Sequence, residues 1–375
     1  MKNKNSKNQC NNKEQKTTIT LMHQNVVSIT NKTEFLEELI SVYNINLLCV
    51  TEHWLEKSCL EIINFPDFKL MAQYCRQKDE HGGNAVYLSD DIIDKYDVIE
   101  IDFKFANVNR IIESCGIKIH NQNNKTTELI VICMYRPPID KYYDIFLDKL
   151  DEIGRKLKLT ENPVVICGDL NINHLDKSTR KYKKLNDILE SYKLVNHINE
   201  VTRPKSNTGL DYIIMNAGRE YKYIEVINSN ISDHKAQMIK YEIKDTKSKT
   251  EKKTKVIQKR YYNRKENEEK MYRILQNTEW TFTNEEVSSD KDIDRKWQSF
   301  MTKIYEIHDE SYPKINIKIN PKIKRQKWLT EEIRKNGREL REMKQNLITN
   351  SEIIKQKKRE HIKNIRKAKR DIYNN

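Results

Sequence analysis

Pro163–Asn173 reads PVVICGDLNIN. Val164–Cys167 is a short run of apolar, mostly β-branched residues, the composition of a buried strand. It stops at Gly168 and gives way to Asp169 and Asn171. A carboxylate and an amide placed straight after a buried strand are held at the edge of a sheet, where strand ends converge. The same design recurs outward from this segment. NLLCVTEH ends in Glu52 and His53, LMHQNV carries Asn25, ELIVICMY ends in Tyr135, Asp211 lies inside GLDYIIMN, and Ser232, Asp233 and His234 come at the start of SDHKAQMIKYEI.

Further strands are expected in FKLMAQYC, GNAVYLS, RIIESCGIKI and YIEVIN, and the first strand in TITLMHQNV. Helical spacing of i, i+3/i+4 links Phe35, Leu36, Leu39, Ile40 and Tyr43. It also links Phe146, Leu147, Leu150 and Ile153, and Leu185, Ile188, Leu189 and Tyr192. Many short strands with a few helices between them predict an α+β body of two packed sheets. A doubly wound parallel sheet fits less well, because several strands follow one another with no helix between.

The chain has 375 residues with 69 Lys+Arg against 55 Asp+Glu, a net charge of +14. Residues 320–375 hold 18 of the basic and 7 of the acidic residues, so most of the excess sits at that end. A Lys-rich run is an ordinary solvated helical face, but it also suits contact with phosphates. The longest apolar stretch, Leu129–Tyr135, is far too short to span a bilayer, so a membrane partner is not expected. No apolar signal segment opens the chain, and secretion is not expected. The seven cysteines are odd in number and form no CxxC pair. That argues against a disulfide framework or zinc ribbon and for a reducing nuclear or cytoplasmic setting.

Residues 1–16, rich in Lys and Asn, are expected to be a disordered tail. Residues 17–243 form the body, 244–262 a charged linker, and 263–375 a basic helical segment in which Trp280, Trp297, Phe300, Tyr305 and Ile307 form a small cluster. Thr330–Tyr373 holds no proline and one glycine, Gly337, which predicts one or two long helices.

The chemistry follows from the strand ends. Hard oxygen ligands such as Glu52 and Asp169 suit Mg²⁺ or Mn²⁺. Asp beside Asn in GDLN provides a base and a hydrogen-bond donor in one place, and a His paired to an Asp can meet a phosphoryl oxygen. Together they point to metal-assisted hydrolysis of a phosphate ester. Singly, each has a plain reading as well. A Glu after a strand is an ordinary turn residue, GDLN an ordinary turn, and SDH a strand cap. Their joint presence carries the argument.

QNVVS, TEHWL, GGNAVYL, MYRPP, CGDLNIN, TGLDYIIMN and ISDHKAQ occur in an order that resembles the endonuclease/exonuclease/phosphatase superfamily. The resemblance is strongest to the apurinic-type endonuclease domain of non-LTR, LINE-like retrotransposons of jockey type. It covers residues 17–243. It implies a four-layer α/β/β/α sandwich followed by the basic helical extension, and a Mg²⁺-dependent (or Mn²⁺-dependent) endonuclease. Such an enzyme nicks DNA and leaves a 3′-hydroxyl for priming. It implies Glu52 as the main metal ligand, with Asn25 beside it and Asp233 on the metal side. Asp169 would orient or deprotonate water, Asn171 would hold that water or a phosphate oxygen, and His234, oriented by Asp211, would donate to the scissile phosphate. Tyr135 would face the phosphate. Arg136, Thr202, Arg203 and Thr208 are candidate substrate contacts, though Arg136 before Pro-Pro is equally a turn residue. His53 is expected to be a structural neighbour of Glu52, and Trp54 to pack in the core. No Tyr-x-Asp-Asp or Phe-x-Asp-Asp signature occurs, so the resemblance implies a copy truncated before the reverse transcriptase. KWLTEEIRKNGRELREMKQN is similar to the basic connector that precedes the polymerase in such elements, and RNA is a second candidate partner for these helices. Two alternatives stand beside the endonuclease: a phosphatase or phosphodiesterase acting on small phosphate esters, and a catalytically silent nucleic-acid-binding remnant.

Overall fold

A computed structural model describes residues 16–76, 81–216, 221, 223–244, 255–259, 265–280, 290–313, 315–319, 328–345 and 351–373. The expectation of a disordered tail falls on residues outside this set, except that Lys16 opens the first strand. The elements run β1 (Lys16–Asn25), α1 (Thr33–Tyr43), β2 (Leu47–Thr51), α2 (Lys57–Leu60), β3 (Phe68–Tyr74), β4 (Asn84–Ser89), α3 (Asp90–Ile93), β5 (Tyr96–Glu100), β6 (Glu113–Asn121), β7 (Thr127–Tyr135), α4 (Tyr143–Leu157), β8 (Val164–Asp169), α5 (Arg180–Ser191), β9 (Leu194–Asn196), β10 (Asp211–Asn216), β11 (Tyr223–Ile227) and β12 (Ala236–Lys244).

These strands build two six-stranded sheets, one in the order β11-β12-β1-β2-β4-β3 and the other β5-β6-β7-β8-β10-β9. Parallel pairing joins β1 to β2 and β7 to β8, and antiparallel pairing joins the rest. β8 shows why the decisive segment reads as an unbroken apolar run. Val165 and Cys167 enter the core between the sheets with Leu21, Cys49 and Val131. Val164 and Ile166 point the other way, under Phe146 and Leu150 of α4 and Leu185 and Leu189 of α5. A strand covered on both faces has no polar side to alternate with. In the other sheet Met22, Leu48 and Val50 pack under Phe35, Leu36 and Leu39 of α1. The result is helix, sheet, sheet and helix, the α+β sandwich expected from the sequence.

β5 and β9 were not foreseen. Both are edge strands of the second sheet, with Ile99 and Val195 left exposed, so their apolar signal is weak. Gly168, the penultimate residue of β8, takes φ +153°, and a Cβ there would lie 1.8 Å from the Met134 carbonyl oxygen. The close approach of β7 and β8 at the site therefore depends on the absence of a side chain.

Contact clustering separates Thr250–Lys324 as a second unit. Within it β13 (Lys255–Lys259) pairs antiparallel with β14 (Ile315–Ile319). Two helices, α6 (Lys265–Gln276) and α7 (Asp290–Ser311), lie between those strands in sequence. The rings of Trp280 and Trp297 sit 5.6 and 5.7 Å from that of Phe300, an aromatic cluster of the kind expected. The segment drawn from sequence as a linker thus contains a strand.

The remaining segment, Arg325–Asn375, groups with the sandwich rather than with Thr250–Lys324, so residues 263–375 do not form one body. Its helices α8 (Glu331–Gln345) and α9 (Ser351–Tyr373) pack together, and α9 lies against α1. Trp328, Leu329, Ile333 and Ile365 form a small apolar core with Val42 of α1. Three of this segment's cations, Arg341, Arg366 and Lys369, pair with acids of α1.

Candidate active site

The strand register brings the polar residues into rows. On the second sheet Tyr135 pairs with Asp169, Asp169 with Asp211, and Glu113 with Tyr135. On the first, Asn25 pairs with Thr51 and Thr51 with Asn84. The sheets meet at this rim, where the Asn84 amide donates to the Glu113 carbonyl at 2.6 Å. The loops leaving β1 and β2 are laced together, with Val26 N–H bonded to Thr51 O and Ser28 N–H to Glu52 O. Val27, Ser28, Glu52, Trp54 and Asn171 all take positive φ. Such conformations cost about 1–3 kcal/mol each and gather where function fixes a backbone.

Asn25 is the link between the two sheets. Its amide nitrogen donates to Glu52 Oε1 and to Asp169 Oδ2, both at 2.8 Å. Its carbonyl oxygen accepts from Val27 N–H at 3.1 Å, which fixes the amide's orientation. Asn25 therefore presents its amide hydrogens to both carboxylates. Trp54 is half-buried, and its indole N–H donates to Glu52 Oε2 at 3.1 Å, so it is a partner of Glu52 rather than a core residue. His53 is buried, bonded to the Tyr74 carbonyl and to Leu55 N–H, and burial holds its pKa down to about 4. That agrees with a structural part.

Asp211 and His234 form the second half of the site. His234 Nδ1 lies 2.9 Å from Asp211 Oδ2 and 3.9 Å from Asp169 Oδ2. Burial alone would discharge this imidazole, but the Asp211 carboxylate outweighs it and lifts the pKa to about 9. Burial likewise opposes the charge on Asp211, and the His234 partner overcomes it, so Asp211 stays ionised. Asp169 is pushed up to about 7, first by burial and then by the Asp211 charge, with Glu52 adding to it. Its Oδ1 accepts from Asn171 N–H at 2.9 Å. The Tyr135 phenol is pushed up strongly, by burial and by Glu52 and Asp169, and is a neutral donor.

Asp169, Asp211 and His234 place ligand atoms within 4.8 Å of one another. Asp211 and His234 satisfy each other. Buried Asp169 and half-buried Glu52 are joined through the Asn25 amide as neighbouring hard-oxygen donors. That donor set fits a hard divalent cation.

Four expected residues lie elsewhere in the arrangement. Asp233 is paired with Arg203 at 2.9 Å and is not one of the clustered donors. Arg136 is 1% exposed and faces away from solvent. Its guanidinium donates to the Leu170 and Pro137 carbonyls and lies over the Tyr143 and Phe146 rings. It is a strut behind the GDLN loop, not a substrate contact. Thr202 is fully buried, and its hydroxyl accepts from Leu210 N–H and Asp211 N–H, fixing the start of β10. Thr208 forms a bridge with Arg203 and shares a hydrogen bond with Ser206.

Two groups were missed from sequence. His23 lies between Gln237 at 2.6 Å and Thr51 at 3.1 Å, and its Nδ1 is 4.0 Å from Asp211 Oδ1. Glu113 is fully buried and binds Arg76 at 2.5 Å and Gly83 N–H at 2.8 Å. An acid at the first position of β6 is the same signal that singled out Glu52.

Residues 129–238 match the family model described as Endonuclease-reverse transcriptase. This span contains Tyr135, Asp169, Asn171, Asp211 and His234. The match to this endonuclease/exonuclease/phosphatase model covers part of the sandwich, from β7 into β12. Solved structures similar to the chain include the endonuclease domain of TRAS1, a telomere-specific non-LTR retrotransposon. Identity there is 13%, over 62% of this chain and 100% of that one, with a TM-score of 0.45. Another is an AP endonuclease from Leishmania major, at 12% identity over 60% and 87% of the chains, TM-score 0.49. A third is a 3′ phosphatase from Neisseria, at 16% identity over 59% and 98%, TM-score 0.43. A search of curated proteins finds none that matches. Among the described residues no helix is long and apolar enough to cross a membrane.

Proposed function

We propose that this domain is a divalent-cation-dependent endonuclease that hydrolyses DNA phosphodiester bonds, nicking one strand and leaving a 3′-hydroxyl, as an element of the non-LTR retrotransposon kind does. The observation that carries the reading is the union of Asn25–Glu52 and Asp211–His234 around Asp169, from strands that are far apart in sequence. The match to a model described as Endonuclease-reverse transcriptase supports the same reading.

Glu52 would hold Mg²⁺ or Mn²⁺, with Asp169 beside it. Bound there, the cation supplies charge stabilisation for the phosphate oxygens. Asp169, whose affinity for a proton is raised close to neutrality, takes the proton from the attacking water. Asn171 N–H and the Asn25 amide hold its two oxygens in place for that transfer. His234 carries a proton at neutral pH and donates Nε2–H to a non-bridging phosphate oxygen, while Asp211 fixes Nδ1 and the ring plane. Tyr135 donates from its neutral phenol. The Asn171 side chain is anchored on the Arg136 carbonyl at 2.9 Å, where it frames the phosphate. Arg203, half-exposed and paired with Asp233, and the neighbouring Thr208 are the contacts proposed for DNA outside the scissile bond.

A supercoiled plasmid incubated with the full chain in Mg²⁺ should become open-circular, with the reaction lost in EDTA and in Asp169→Ala and His234→Ala. Retention of DNA without nicking would instead mark a silent binding module. Phosphate release from a small ester without nicking would mark a phosphatase.

A further inference from the structure

Glu38 of α1 is 1% exposed, and its side chain is bonded by an Arg and a His from α8 and α9. Arg341 of α8 reaches Oε1 at 3.0 Å, and His361 of α9 reaches Oε2 at 2.8 Å. Arg366 pairs with Glu34 and Lys369 with Glu37 on the same helix. Gly337 makes room for the contact, since a Cβ there would lie 2.0 Å from Glu38 Oε1. The hairpin is thus seated on the sandwich by charge as well as by the Trp328 cluster. Two of its residues then reach past α1 to the segment that leads into His234. Lys358 Nζ donates to the Asn230 carbonyl at 2.7 Å, and the Arg341 carbonyl accepts from the Asn228 amide at 3.4 Å. Lys358 also lies 5.0 Å from the centre of the Phe35 ring of α1. Asn230 takes φ +61°, and four residues later the chain delivers His234. At its other end this segment is tied to β1, through Ser232 Oγ on the Asn25 carbonyl and Gln24 on the His234 carbonyl. The segment is therefore pinned from the rim on one side and from α9 on the other.

We propose that the α8–α9 hairpin is a positioning element of the active site, and that Lys358, through the Asn230 carbonyl, holds the 228–234 segment so that His234 stays in register with Asp211. This rests on the endonuclease reading, in which His234 serves the reaction. A bond from an ammonium to the backbone carbonyl of Asn230 restrains the chain from the hairpin side, and small displacements of a catalytic group cost large factors in rate.

The test uses the full chain with Lys358→Met, Lys358→Arg and, as a control on the same helix, Lys355→Met, whose ammonium pairs with Glu352. Plasmid nicking, thermal unfolding and hydrogen exchange of the 228–235 amides are measured on each. Lys358→Met should lower kcat by about ten- to a hundredfold with KM unchanged, and should speed exchange in 228–235 without lowering the unfolding temperature in proportion. Lys358→Arg should restore both, and Lys355→Met should match the wild type. A rise in KM with kcat unchanged would make Lys358 a DNA contact and overturn the proposal. So would unchanged exchange in 228–235, or faster exchange with an unchanged kcat. Should the wild-type chain nick nothing, the endonuclease reading fails, and the exchange of 228–235 decides by itself whether Lys358 holds the segment.

Discussion

Two buried acidic groups sit on opposite sides of the first sheet's chemistry, and they are built on opposite terms. Around α1, Glu34, Glu37 and Glu38 face Arg341, His361, Arg366 and Lys369, so each carboxylate has its own cation. At the rim, Asp169 and Asp211 both lie against the imidazole of His234, Glu52 is held by the Asn25 amide and the Trp54 indole, and burial with the Asp211 charge drives Asp169 up to about 7. A cluster that serves only folding is neutralised from within. A cluster left with negative charge to spare is arranged to receive a cation or a proton.

The contrast can be broken most sharply at Asp169. Replacing it with Asn should reduce nicking by about 10³–10⁴-fold, as loss of a group at the reacting atoms does. The same change removes surplus charge, so the variant should unfold at a temperature equal to or above that of the wild type. A large loss of stability would show that Asp169 is a structural acid like Glu38. Arg341→Ala is the mirror experiment. It leaves Glu38 buried with one cation fewer, and urea unfolding should show a loss of about 3–5 kcal/mol. His234 sharpens the comparison through pH. Its folded pKa of about 9 lies above the ordinary 6.5, so its contribution is complete below pH 6.5 and fades as pH rises through 9. Urea unfolding of wild type and His234→Gln should differ by an amount that shrinks, on the order of 3 kcal/mol, between those limits. Gly337→Ala, which pushes a methyl onto Glu38, should cost about 1–3 kcal/mol in the same assay and leave the pH dependence of His234 untouched.

The sequence made the rim legible because strand ends are short-range features. Asp169, Asn171, Glu52 and Asp211 each adjoin an apolar run, and pairing merely lines the runs up. It was misleading wherever the direction of a side chain decides the role. Arg136 follows β7 and Thr202 lies in the loop before β10, yet both turn inward and bond main-chain groups, which no spacing reveals. Asn25 stands where expected but offers its hydrogens, because Val27 N–H claims its oxygen. At the basic end the sequence could not show that Arg341, Arg366 and Lys369 pair with the acids of α1, some three hundred residues earlier in the chain. β5 and β9 escaped notice because an edge strand shows little hydrophobic contrast.

β1 sits in the middle of its sheet, zipped along its length to β12, so its Lys16 meets Lys244. During synthesis the first strand must wait, unpaired on one edge, until more than two hundred further residues have emerged. Glu38 waits longer still, for His361. Chaperone protection of the nascent amino-terminal half is the natural corollary of that wiring.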